Sequence, residues 1–396
     1  MHAGADAART ASAARLLQAA RQIGREVAAV HASDVDAKAR FPKETIDACR
    51  DARLLSAPLP EDMGGAGLGL QQLGAIVSAL AEGCASSAMV LAMHYSQLGC
   101  LARHGGQSSE IAAFVRELAL KQWLVSSITS EVGTSGETRR SICAVRGEGG
   151  EFLLDKSGTT GSYCEEADAI LVTARAGEDA AENDQVLVLV RRGQYELART
   201  SAWDTLGMRG TCSPGVQLRA TAPRGQILPV PFADISALTM VPYAHILWSA
   251  VWTGIAAAAS RKAVEFVRGQ ARKAPGAPSP GAARLVTLGL GLQALRDGWT
   301  AAAAEFDSLV SDGRDAMECA SVRWAIRMNN LKINSSEAAP RLVHEALLTI
   351  GVAAYKNEGA YSLGREYRDA LSGALMISND RIGAANASLL LISKEA

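Results

Sequence analysis

The chain has 396 residues, 48% of them hydrophobic and 20% charged, a balance that belongs to globular proteins rather than disordered or fibrous ones. At roughly 150 residues per domain, that length calls for two or three folding units. A formal net charge of -1 provides no field to gather nucleic acid or an anionic membrane, so an anionic ligand must be recognised locally.

From about Ala8 to Leu120 the chain is Ala-rich, with apolar helical periodicity over Ala13 to Val30 and Gln71 to Leu91. A Gly- and Pro-rich stretch, Pro58 to Gly67, must interrupt these helices as a loop. Between about Trp123 and Pro231 the texture turns to β: Ala169 to Ala174 and Gln185 to Val190 are apolar strand-like runs separated by Gly and charged turns. Helical patterning returns over Ile246 to Arg268, Ala282 to Val310, Asp315 to Ala339, Ala339 to Val352 and Tyr367 to Ser393, with a break expected near Ser378 to Arg381. Ala274 to Gly281 carries three prolines and reads as a loop. The expected boundaries are a helical domain over 1–122, a β domain over 123–232 and a helical domain over 233–396.

The longest uncharged run, Ile235 to Ser260, holds Pro242 and His245 and reads as a buried core helix, not a membrane span. Seven scattered cysteines with no CxxC pair indicate neither zinc nor a disulfide framework, and with no signal-like N-terminus the cytoplasm is the default location. No metal site is expected: His94 and His104 have no carboxylate at ligand spacing. A GxGxxG after a strand and a GxSxG elbow are both absent, which argues against a nicotinamide enzyme and a serine hydrolase.

Several segments, in order along the chain, resemble the acyl-CoA dehydrogenase family. Pro60 to Gly67 is similar to its P-x-x-x-G-G-x-G loop, and Thr129-Ser130-Glu131-Val132-Gly133-Thr134-Ser135-Gly136 to its T-E-P-x-A-G-S-D segment, with Val132 in place of the proline. Lys156 to Ser162 and Ala167 to Arg175 resemble two strands of its β domain, and Leu206-Gly207-Met208-Arg209 with Thr211 and Ser213 is the most specific match. Arg272-Lys273-Ala274-Pro275-Gly276, Gly351 and Gly364-Arg365-Glu366-Tyr367-Arg368-Asp369-Ala370 occupy the places of further family motifs.

The resemblance implies an α+β protein with an N-terminal helical domain, a middle β-barrel or sandwich and a C-terminal four-helix bundle. It implies FAD as cofactor, met by Thr129, Ser130, Ser135, Gly136, Thr160, Ser162 and Asn379, with Arg272 on the diphosphate across a subunit interface and Gly351 near the adenosine. A homotetramer or homodimer follows, acting on an acyl thioester of coenzyme A or an acyl-carrier protein and passing electrons to an electron-transfer flavoprotein or to oxygen. The implied reaction is α,β-dehydrogenation, which needs a carboxylate against the substrate α-carbon. The family keeps that carboxylate at one of two positions, which here are Ile377 and Ala244, and neither is acidic. Asp380 and His245 are the nearest candidate bases, although a turn cap and a core histidine are the ordinary fates of such residues. Three readings stay open: dehydrogenation with one of these bases, a flavin-dependent monooxygenase that needs none, or a module that keeps the fold without turnover.

Overall fold

The computed structural model describes residues 2–147, 149–273 and 281–393. Its Ala-rich N-terminal part, poor in helix breakers, forms α1 (His2–Ile23), α2 (Ala29–Lys38), α3 (Lys43–Asp51), α4 (Leu70–Ala81), α5 (Ala85–His104) and α6 (Ser109–Lys121). The expected loop lies between α3 and α4. Gly65 comes so close to Leu59 there that an added Cβ would stand 2.6 Å from the leucine Cβ, so glycine is required.

Six strands follow: β1 (Val125–Ile128), β2 (Glu151–Gly158), β3 (Ala169–Arg175), β4 (Gln185–Arg191), β5 (Tyr195–Arg199) and β6 (Val216–Pro223). They make two three-stranded sheets, ordered β1-β3-β4 and β2-β6-β5. Ile170, Val172, Val188 and Val190 of the first sheet share one core with Phe152, Leu154, Val216 and Leu218 of the second, so the sheets form a sandwich. The other face of β3, at Ala169 and Leu171, packs on Phe114 and Val115 of α6. Burial on both faces explains why the β3 sequence is a continuous apolar run, whereas β2, open to solvent on one side, alternates. Inside the sandwich, Lys156 Nζ donates to Glu131 Oε2 at 3.0 Å, and both side chains are nearly or fully buried.

The C-terminal part comprises α7 (Phe232–Ile235), α8 (Val241–Lys273), α9 (Ala282–Ser311), α10 (Asp315–Glu318), α11 (Val322–Ile350), α12 (Val352–Tyr355), α13 (Gly364–Leu371) and α14 (Asn379–Ile392). Packed against α4, α5, α9 and α11, α8 is apolar all round because it is the central core helix. The segment 232–273 is long and apolar enough to cross a membrane, but its most apolar stretch is mostly buried within the fold. The architecture is therefore helical, sheet, helical, as expected.

Two local expectations need correction. No break occurs at Ala339: α11 runs through Pro340, whose missing N–H removes one helical hydrogen bond, while burial of Ala339, Leu342 and Val343 holds the helix together. The expected break near Ser378 instead spans the whole stretch between α13 and α14, where Ile377 takes a φ of 48° and the Ser378 side chain caps α14. The proline-rich stretch 274–280 lies outside the described residues.

Candidate active site

One cavity of about 630 Å³ opens where the three parts meet. One face of α5 (Met89, Met93, Ser96 and Gln97) and one face of α8 (Val241, Ala244, His245 and Trp248) form its helical wall, each set spaced at three or four residues so that its side chains point the same way. The opposite side comes from the end of β1 and the hydroxyl-bearing loops of the sandwich, at Ser126, Ser127, Thr129, Ser130, Gly136, Thr160 and Ser162.

A third wall joins two motifs lying about 160 residues apart. The Met208 N–H donates to Asp369 Oδ1 at 2.6 Å, and Gly207 lies so close to α13 that an added Cβ would collide with the Arg368 carbonyl. Burial raises the Asp369 carboxyl to about 6, against the pull of the Met208 N–H and the Arg365 charge. Arg368 pairs with Asp36 and donates to the Leu206 carbonyl at 2.7 Å. Leu206 to Arg209 thus serves structurally, shaping the cavity.

The hydroxyls already form a network. Ser130 Oγ and Thr160 Oγ1 lie 3.0 Å apart, and Ser213 Oγ donates to Ser162 Oγ at 2.8 Å. Glu131 supports this region from beneath, accepting from Ser141 Oγ (2.7 Å) and from the Ile142 and Cys143 amides (3.1 and 2.6 Å). Burial pushes its carboxyl up, but the Lys156 charge and these hydrogen bonds outweigh burial and hold it below its ordinary value.

Of the candidate cofactor residues, Thr129, Ser130, Gly136, Thr160 and Ser162 line the cavity. Ser135 is exposed beside it, its carbonyl accepting from Arg381 Nη2 at 3.1 Å. Asn379 does not line the cavity: its Oδ1 accepts from the buried Lys332 Nζ at 2.6 Å, and burial drives that ammonium down to about 8. Gly351 ends α11 away from the cavity wall, and Arg272 is exposed in the last turn of α8.

The two candidate bases separate. Asp380 is exposed and off the cavity wall, whereas Ile377, Ser378 and Arg381 on either side of it line the cavity. His245 does line the cavity. Its Nδ1 is 3.0 Å from the Met328 carbonyl, so Nδ1 carries the proton and Nε2 keeps a free lone pair. Burial pushes this imidazole down to about 4, with the nearby Lys332 charge in the same direction. It is neutral at pH 7. His94, by contrast, is fully engaged, bridging the Leu55 carbonyl (2.8 Å) and the Val125 amide (3.0 Å). No group of three or more metal-ligating side chains occurs among the described residues.

Sequence reasoning missed Arg381, Gln97 and Trp248. The Arg381 guanidinium is at the cavity wall, donates to the Ser135 and Gly136 carbonyls and has no carboxylate partner among the described residues. Nothing in the local sequence distinguishes it from Asp380 beside it. Both positions implied for a catalytic carboxylate, Ala244 and Ile377, do face the cavity, and among the described residues no Asp or Glu lines it.

A family model described as acyl-CoA dehydrogenase, N-terminal domain, matches residues 10–119. The amino sugar nitrososynthase DnmZ of Streptomyces peucetius is 26% identical over 87% of this chain and 84% of its own length. The short-chain specific acyl-CoA dehydrogenase of human mitochondria is 24% identical over 90% of this chain and 84% of its own. Over residues 10–119 the chain matches the acyl-CoA dehydrogenase family, and along most of its length it is similar to acyl-CoA dehydrogenase-like proteins. In fold, the chain superposes on FMN-bound TdsC, a dibenzothiophene monooxygenase of Paenibacillus sp. A11-2, with a TM-score of 0.81 at 19% identity, over 95% of this chain and 97% of that one.

Proposed function

We propose that this protein is a flavin-dependent monooxygenase, not an acyl-CoA dehydrogenase. The carrying observation is the carboxylate-free cavity, with Ile377 and Ala244 at the two positions where dehydrogenation would place its base. Its likeness to FMN-bound TdsC points the same way.

The residues present fit a flavin. Ser130, Thr160 and Ser162 offer hydroxyls on the cavity surface, and Gly136, at a φ of 76°, leaves room that a Cβ would fill 2.6 Å from Arg381 Nη2. The unpaired Arg381 guanidinium suits a flavin phosphate through charge-assisted hydrogen bonds. When bound and reduced, flavin supplies the two electrons with which oxygen is split between substrate and water, and a separate NADH-dependent reductase restores it. The chain excludes bulk water with Met89, Met93, Phe232 and Trp248, and His245 Nε2 accepts a hydrogen bond without adding charge. The apolar side chains exposed in the C-terminal part, among them Val352, Tyr355, Leu375 and Leu391, support a homo-oligomer, in which Arg272 would reach a neighbour's cofactor. Seven unpaired cysteines suit the cytoplasm.

The free Nε2 of His245 favours a second reading, α-proton removal from an acyl thioester with FAD as acceptor. One experiment separates the two. The protein is loaded with FMN or FAD and mixed anaerobically with butyryl-CoA and longer acyl-CoAs, then supplied with NADH, a flavin reductase and air. Retained flavin that no thioester bleaches, together with reductase-dependent oxygen consumption, is the expected result. Bleaching by a thioester that His245→Ala abolishes establishes the dehydrogenase instead.

A further inference from the structure

Five of the chain's nine methionines, Met89, Met93, Met208, Met240 and Met376, line this one cavity, whose wall holds fewer than a tenth of the residues. They arrive from separate segments: Met89 and Met93 from α5, Met208 from the turn that Asp369 holds, Met240 from the stretch before α8, and Met376 from the connection between α13 and α14. Met93, Met240 and Met376 are half-buried and keep accessible surface, whereas Met89 and Met208 are buried. Outside the cavity, Met317 on α10 is 70% exposed. No cysteine among the described residues lines the cavity. Burial pushes the thiol of Cys164, beside Ser126, up to about 12 and that of Cys212, between Thr211 and Ser213, up to about 11. Thiols so held stay protonated and inert at pH 7, but a thioether has no proton to lose and is a nucleophile at any pH.

We infer that Met93, Met240 and Met376 form a modification site: when no substrate is present, they take the oxygen atom activated in this cavity and become methionine sulfoxides. The inference rests on the monooxygenase reading, because the oxidant is the hydroperoxide that reduced flavin and oxygen form there. The thioether sulfur attacks the outer oxygen of that hydroperoxide. The O–O bond breaks as the S–O bond forms, and the oxygen left behind takes up the hydroperoxide proton. Sulfur loses two electrons and the peroxide bond gains them, so that reduced flavin, oxygen and a thioether give oxidised flavin, water and a sulfoxide. Peroxide in the bulk would follow exposure instead and reach Met317 first. Each sulfoxide makes an apolar wall polar, and sulfoxide reductases reverse the change.

The test reads the protein itself and needs no variant. The full chain, loaded with FMN, is supplied with NADH, a flavin reductase, air and catalase but no substrate, and its peptides are then analysed by mass spectrometry. Catalase removes peroxide that escapes, so Met93, Met240 and Met376 should carry on the order of tenfold more sulfoxide than Met317. A second, flavin-free sample treated with hydrogen peroxide alone should show the reverse order, with Met317 oxidised first. Oxygen consumption that leaves the three wall methionines intact, or no more oxidised than Met317, overturns the inference while the monooxygenase reading stands. The same wall-first order in both samples overturns it as well, because oxidation then reflects the reactivity of those side chains and not oxygen activated beside them. Absence of reductase-dependent oxygen consumption is a separate result, and it overturns both readings.

Discussion

Replacing Lys156 by methionine isolates what holds up the hydroxyl-bearing side of the cavity. Methionine keeps most of the side-chain volume within the sandwich but removes the ammonium that faces Glu131 Oε2 at 3.0 Å and also donates to the Thr173 carbonyl at 2.7 Å. The Glu131 carboxylate is then buried with its hydrogen bonds but no counter-charge. Breaking such a pair from one side costs about 3–5 kcal/mol, a large share of the roughly 5–15 kcal/mol by which a domain is stable.

The pH dependence should also reverse. In the wild type, Glu131 titrates below its ordinary value of 4.5, so its contribution is complete above that value and is lost as the pH falls through the depressed one. In Lys156→Met the folded-state value rises above 4.5, and the variant should recover stability as the pH falls through that raised value. Urea unfolding at pH 7 and pH 5, followed by circular dichroism, measures both effects. The double variant Glu131→Gln with Lys156→Met should regain much of the loss, because a neutral amide needs no counter-ion. A loss below about 1 kcal/mol for Lys156→Met, or stability that falls with pH in parallel with the wild type, refutes the reasoning.

Gly207→Ala should part the Leu206 to Arg209 turn from α13, because its Cβ would meet the Arg368 carbonyl and stand 2.7 Å from the Asp369 amide; a loss of about 1–3 kcal/mol and weaker flavin retention are expected from melting curves and bound-flavin absorbance. Burial holds His94 and His245 down to about 4, below the ordinary 6.5, so the unfolded chain binds more protons between those values. Each should therefore remove on the order of 3 kcal/mol of stability as the pH falls from 6.5 through 4, and replacing His245 by glutamine should flatten that slope in acid unfolding curves. Arg381→Ala should weaken flavin retention about tenfold or more in equilibrium dialysis, whereas Asp380→Asn should leave it unchanged.

Local chemistry made the architecture legible. Period and composition were enough to find the N-terminal helices, the strands at Ala169 and Gln185 and the buried helix around Trp252, because each of those signals resides within one element. The two helical segments expected to meet at Ala339 are one helix, because core packing that only the assembled bundle supplies carries α11 through Pro340.

The site shows the same division. That Ile377 and Ala244 are not carboxylates was readable directly from the chain, but that both face one cavity, and that no other acidic side chain replaces them, is a property of three parts meeting. Asp380 and Arg381 are neighbours in sequence, and their opposite fates depend on where α14 begins, which the Ile377 backbone and the Ser378 cap decide. Asn379 goes to Lys332 because α11 brings a buried ammonium within reach of it. Gln97 and Trp248 resemble any polar or aromatic residue on an apolar helix until the packing of α5 on α8 leaves each with an unmet hydrogen bond. Residue type and spacing determine which elements form; which way a side chain faces, and whether its polar atoms find partners, depends on segments far away in the chain, so only the tertiary structure decides it.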